Sequence, residues 1–133
     1  MAVETTPEKI RKQQFKALAD DGLLIFNELE ATNQTNTMYT VPTGKVFYLT
    51  ALSLAASVNV DVNTTVVVLF SDDIAFRLTV NEAAPVGERA KVNATSLSFP
   101  IPIKFIADDT IKVKSFQVGV LATASMFGYE FDA

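Results

Sequence analysis

Three adjacent aspartate pairs, Asp20-Asp21, Asp72-Asp73 and Asp108-Asp109, are the carboxylates of this 133-residue chain that are best placed to do chemistry. Paired carboxylates can serve as general acid and base, or bind calcium through oxygen. Each pair, however, falls between apolar runs, where an aspartate caps its own backbone two residues on, so the spacing predicts turns. The best calcium candidate is the cluster Asn59, Asp61 and Asn63, and it lacks the ligand spacing of a calcium loop. Histidine, cysteine and tryptophan are absent. That removes the usual activating base, the thiolate nucleophile, and the ligands that zinc and non-haem iron favour. The five glycines are scattered singly, with neither a P-loop nor a dinucleotide fingerprint. No catalytic residue, metal site or cofactor is expected, and the chain reads as a built part.

Three sequons, Asn33-Gln34-Thr35, Asn63-Thr64-Thr65 and Asn93-Ala94-Thr95, read most simply as products of an Asn- and Thr-rich composition. Of thirteen aromatic residues ten are phenylalanine, which suits a core better than a sugar platform, where Tyr and Trp dominate. Tyr39, Tyr48 and Tyr129 are the residues left for a sugar-binding or calcium-dependent binding module, the alternative function. The net charge of −4 lies entirely in the body: residues 1–21 hold four bases and four acids, the remainder seven bases and eleven acids. A body of that sign is ill-suited to nucleic acid, which needs clustered Lys and Arg. No secretory signal and no membrane span are read in the chain; its apolar runs fall far short of the ~20 residues a spanning helix needs.

The elements behind this are mostly strands. In LSFPIPIKF (97–105) every odd position is apolar and every even one small, proline or charged, a period of two that fits an extended strand with one buried face. Thr6-Pro7-Glu8 opens a helix, with Thr as cap and Pro at the first helical position, and Asp20-Asp21-Gly22 ends it. Two units follow: an N-terminal arm or helix at 1–21 and a sandwich at 22–133. Strands are expected at 23–30, 37–41, 46–57, 64–70, 74–80 (Ile74, Phe76, Leu78 and Val80 inward), 91–99, 101–106, 110–114 and from 118 onward. Pro42-Thr43-Gly44-Lys45 is a tight turn, and 59–63 a loop. Eight or nine strands without intervening helices predict an all-β antiparallel β-sandwich of the jelly-roll type, with an immunoglobulin-like sandwich second.

Three strands are apolar on both parities: 46–56, 64–70 and the last. A sandwich strand normally shows water one face, so a second cover is required, either the N-terminal helix or another copy. A helix of about 13 residues spans only about 20 Å, too little for three strands. A homo-oligomer is therefore expected, with Ile10, Phe15, Leu18, Val67, Leu69, Leu121 and Phe127 as interface candidates.

The run YTVPTGKVFYL (39–49), followed in order by FPIPI (99–103), DTIKV (109–113) and GYE (128–130), resembles small jelly-roll structural proteins of virus particles, of the phage or archaeal-virus decoration or minor capsid type. The resemblance covers about 39–131 and its motifs are turns and strand starts. It implies a virion protein assembled in the host cytoplasm, most often a trimer. Its partners would be itself and other capsid proteins, with the basic arm touching the shell or a neighbour.

Overall fold

The structure, a computed structural model, describes residues 22–83, 86–87 and 89–133. The helix expected before residue 20, with Ile10, Phe15 and Leu18, lies outside them. Eight strands are described: β1 (Leu23–Thr32), β2 (Thr35–Thr40), β3 (Lys45–Val58), β4 (Val62–Phe70), β5 (Asp73–Glu82), β6 (Ala90–Ile106), β7 (Thr110–Ser115) and β8 (Val120–Asp132). They form two antiparallel four-stranded sheets, ordered β1-β8-β3-β6 and β2-β7-β4-β5. The chain passes from one sheet to the other at every connection except the β4–β5 hairpin. The architecture is all-β and sandwich-like.

The core lies between the sheets and is built by alternation. Ile25, Leu29 and Ala31 of β1, Val66 and Val68 of β4, Leu78 and Val80 of β5, Ile111 and Val113 of β7, and Val120, Ala122, Ala124 and Met126 of β8 all pack there. Each set keeps to one parity, so each strand gives one face to the interior.

Register shifts in β3, β5 and β6 change that alternation. In β3, Leu49 pairs with Gly128 and Ala51 with Phe127, leaving Thr50 as an extra residue. Its hydroxyl donates to the Phe127 carbonyl at 3.0 Å, which satisfies a side chain that the bulge buries. Phe47 and Leu49 point inward before this bulge, and Leu52, Leu54, Ala56 and Val58 after it. The double apolar parity of 46–56 is therefore a parity switch: most of those side chains share one face.

In β5, Val68 pairs with Phe76 and Leu69 with Ile74, so Ala75 is the extra residue. That turns Ile74 away from the core and leaves it exposed, correcting the inward placement its spacing predicts. A register shift joins the two strands expected at 91–99 and 101–106 into a single β6. Leu49 pairs with Ile103 and Ala51 with Ser98, so residues 99–102 arch out of register. The arch carries Pro100 and Pro102 on an edge strand, where a missing N–H breaks no ladder. Ile101, at its top, is 76% exposed. The loop expected at 59–63 is shorter, since β4 already begins at Val62, and the last strand begins at Val120, two residues late.

The turns behave as their residues dictate. Gly44 has φ +78° in the turn where Lys45 N–H donates to Pro42 O at 3.1 Å, a conformation favourable to glycine. Ser71, Asp72 and Asp108 also have positive φ. The Asp109 carboxylate accepts from Ser71 Oγ (3.2 Å) and from the Ile106 N–H (2.8 Å), tying the β4–β5 turn to the β6–β7 turn.

Candidate association surface

The outer face of the β1-β8-β3-β6 sheet carries a cluster of rings at one end. In register across it, Leu24 opposes Tyr129, Phe26 opposes Phe127, Tyr48 opposes Tyr129, and Val46 opposes Phe131. Tyr48 meets Phe131 edge-on with centroids 5.7 Å apart, and Phe127 meets Tyr129 at 5.8 Å. These perpendicular contacts are the favourable arrangement for aromatic quadrupoles. Leu24 and Phe26 are 53% and 59% exposed on this face, while Leu23, at the strand's end, has the opposite parity. Ile106 of β6, opposite Val46, is exposed as well. Beside the rings, Ala51, Ser53, Ser96, Ser98 and Ser125 floor a shallow depression walled by Phe26 and Phe127. Ser53 and Ser125 hydrogen-bond one another across β3 and β8, while Ser96 and Ser98 are exposed. Farther along the same face of β1 stand Glu28 and Glu30, both exposed.

The other sheet presents a different surface. Val67 and Leu69 have the outward parity of β4 and belong to no part of the inter-sheet core, yet they are only 1% and 9% exposed. Val67 lies in register between Arg77 and Lys114, and Leu69 between Ile74 and Lys112. Long basic side chains cover apolar neighbours with their methylene stems. Lys112 meets Asp72 at 2.7 Å, and Lys114 Nζ sits 4.6 Å above the Phe116 ring.

The interface candidates thus fall into three groups. Ile10, Phe15 and Leu18 are outside the described residues. Val67 and Leu69 are already covered within one copy. Leu121 and Phe127 are half-buried on the ring-bearing face of the first sheet. Spacing alone did not single out Leu24 and Phe26, though the signal was present: in LLIFNELE they sit on the parity opposite Ile25 and Leu29, which line the core.

Several of the candidate groups make structural contacts, and Asp20-Asp21 lies outside the described residues. Asn59, oriented with its amide nitrogen toward Gly119 O (3.1 Å), accepts from Arg89 Nη2 at 3.3 Å, so its side chain closes loops. Among the described residues no group of three or more acidic, His or Cys side chains is arranged to hold a metal. Tyr48 and Tyr129 belong to the ring cluster, whereas Tyr39 points inward, its ring 4.7 Å from that of Phe47. Its hydroxyl donates to Glu130, joining β2 of one sheet to β8 of the other.

Burial first, and then the hydrogen bond and negative charge of Glu130, hold the Tyr39 phenol protonated far above its ordinary value of 10.0. A group whose folded pKa is raised contributes stability that is complete below the unfolded value and is lost as pH climbs toward the folded one. The wild type should therefore lose stability above about pH 10. Tyr39→Phe should cost about 1–2 kcal/mol at pH 7 and flatten that alkaline decline, as urea melts at pH 7 to 11 would measure.

No protein-family model matches the chain, and no curated protein matches it. Several solved structures do. A chain from the acidic stable capsid of Helicobacter pylori bacteriophage KHP30 is similar with a TM-score of 0.45 at 13% identity, covering 85% of this chain and 96% of that one. A pentameric capsid protein isolated from metagenomic phage sequences is similar with a TM-score of 0.44 at 16% identity, covering 99% of this chain and 85% of that one. A further pentameric capsid protein of metagenomic phage origin gives 0.40 at 18%, covering 99% and 76%. The structural neighbours of this chain are phage capsid proteins.

Proposed function

We propose that this chain is a non-enzymatic structural protein of a virus particle, a capsid decoration, minor capsid or spike-base component, that self-associates through the ring-bearing face of its first sheet. The observation that carries the association half is the exposure of Leu24 and Phe26 beside Phe127 and Tyr129. A contiguous apolar patch of that kind marks an interface more often than bare surface. The particle half rests on the ordered motifs YTVPTGKVFYL, FPIPI, DTIKV and GYE. A jelly roll is the fold reading, supported by the strand order β1-β8-β3-β6 against β2-β7-β4-β5. The segment 1–21, with Ile10, Phe15 and Leu18, is assigned in this reading to contact with the shell or a neighbouring subunit. The sequence resemblance implies three copies, and light-scattering mass decides the number.

The test is association of the purified chain. Wild type at micromolar concentration should be oligomeric. Phe26→Ser combined with Phe127→Thr should keep the strand circular dichroism and weaken association by about thirty-fold or more, since central aromatic anchors carry most of an interface's energy. A wild type that stays monomeric overturns the reading.

A further inference from the structure

Four strands have an edge that no described strand pairs with: β1 and β6 in the first sheet, β2 and β5 in the second. An open edge is a row of unpaired backbone donors and acceptors. Folded proteins usually blunt it with proline, a bulge, a basic side chain or short length. β6 has Pro100, Pro102 and two register shifts. β2 has only six residues and a shift between Thr37 and Tyr39. β5 has the Ala75 bulge and an outward Arg77. β1 has none of these: its ten residues LLIFNELEAT run against β8 in unbroken register, without proline, glycine or a base. The exposed Leu24 and Phe26 stand on this same strand.

We infer that the free edge of β1 is completed by β1 of a second copy, antiparallel about a two-fold axis, so that two four-stranded sheets become one of eight. This rests on the self-association read above and adds a contact at the sheet edge beside the ring face; a two-fold seam requires an even number of copies, so a trimeric mass overturns it. The ring patches of the two copies then adjoin across it, and the contact is self-complementary, as a two-fold interface must be.

Charge narrows the register, and the aromatic pair decides it. Glu28 and Glu30 share the outer face with Leu24 and Phe26. A pairing centred between residues 28 and 30 sets glutamate opposite glutamate, which is destabilising. Centred on Phe26, the pairing sets the two Phe26 rings side by side, Glu28 opposite Leu24 and Glu30 opposite Gly22. No acid then meets an acid, and the central pair is aromatic, a favourable cross-strand match.

The chain has no cysteine, so introduced thiols report the seam without background. Two variants of the full chain test it: Phe26→Cys, and Leu24→Cys with Glu28→Cys, which keeps Phe26. Leu24 and Glu28 lie about 13 Å apart along one strand, too far to bridge within a copy. Thr79→Cys, exposed on β5, is the control. After mild oxidation, both seam variants should give about ten-fold more covalent dimer than Thr79→Cys, because only directly opposed Cβ atoms meet disulfide geometry. Should the reduced protein be oligomeric by light scattering while neither seam variant exceeds the control, the β1 seam is wrong and association through the ring face stands. A monomeric wild type sinks both.

Discussion

Gly128→Ala should be among the most destabilising single changes in the protein, although it adds a single methyl group. Gly128 lies on the inward parity of β8, paired with Leu49 of β3 just before the Thr50 bulge. A Cβ there would come within 2.2 Å of the Tyr48 carbonyl oxygen and within 2.5 Å of Phe47 Cζ. The ring could turn aside, but a backbone oxygen in the middle of a sheet cannot. Glycine inside a strand commonly marks such a close approach beside a bulge. The expected cost is about 3–5 kcal/mol, a large share of the ~5–15 kcal/mol that a domain of this size holds. Urea melts followed by circular dichroism measure it. Gly128→Ala with Phe47→Leu separates the two contacts: trimming the ring should recover only part of the loss, because the carbonyl contact remains. Full recovery would mean that the ring alone excludes the methyl.

That crowded point also shows where a linear reading stops. Period-two alternation located every described strand to within a few residues, because burial on one face imposes it directly on the side chains. It could not separate a strand that is greasy on both faces from one that changes face midway. Phe47 and Leu49 against Leu52 and Leu54 look like two faces on paper, and the unpaired Thr50 makes them one. Ala75 does the same to Ile74, and the 99–102 arch does it to Ile101. A bulge is set by pairing with a partner strand, and its local composition carries little trace. Here Thr50 is an ordinary strand former, and only the distant Phe127 carbonyl gives its hydroxyl a purpose. The association surface was partly legible for a related reason. Phe127 stands out within its own strand, whereas Leu24 and Phe26 gain meaning once β1 is known to lie beside β8, which brings them next to Phe127 and Tyr129. The turns were the most legible elements, since Gly44, Asp72 and Asp108 take positive-φ backbone where the sequence places turns.

Phe47→Ala should be the other severe change, with the opposite volume defect. The ring is fully buried and sits at the head of a chain of aromatic contacts through the core. Tyr39 lies 4.7 Å away, Phe105 6.2 Å, and from Phe105 the series continues to Phe70 at 4.9 Å and Phe76 at 5.8 Å. These rings come from β2, β3, β4, β5 and β6, so the contacts tie both sheets together. Truncating a buried phenylalanine costs about 3–5 kcal/mol through lost transfer energy and the cavity left behind. Phe47→Leu, which keeps most of the volume, should cost distinctly less. Loss of the ring also loosens Tyr39, so the alkaline decline tied to its phenol should become shallower in Phe47→Ala as well. Tyr48, the next residue along β3, points to the other face and into the ring cluster. Below its lowered melting temperature, Phe47→Ala should therefore keep the wild-type oligomer mass, whereas Phe26→Ser with Phe127→Thr should keep the strand circular dichroism and lose the mass. Core and association surface occupy opposite faces of the same strands, and only that arrangement lets each variant fail in one assay and pass the other.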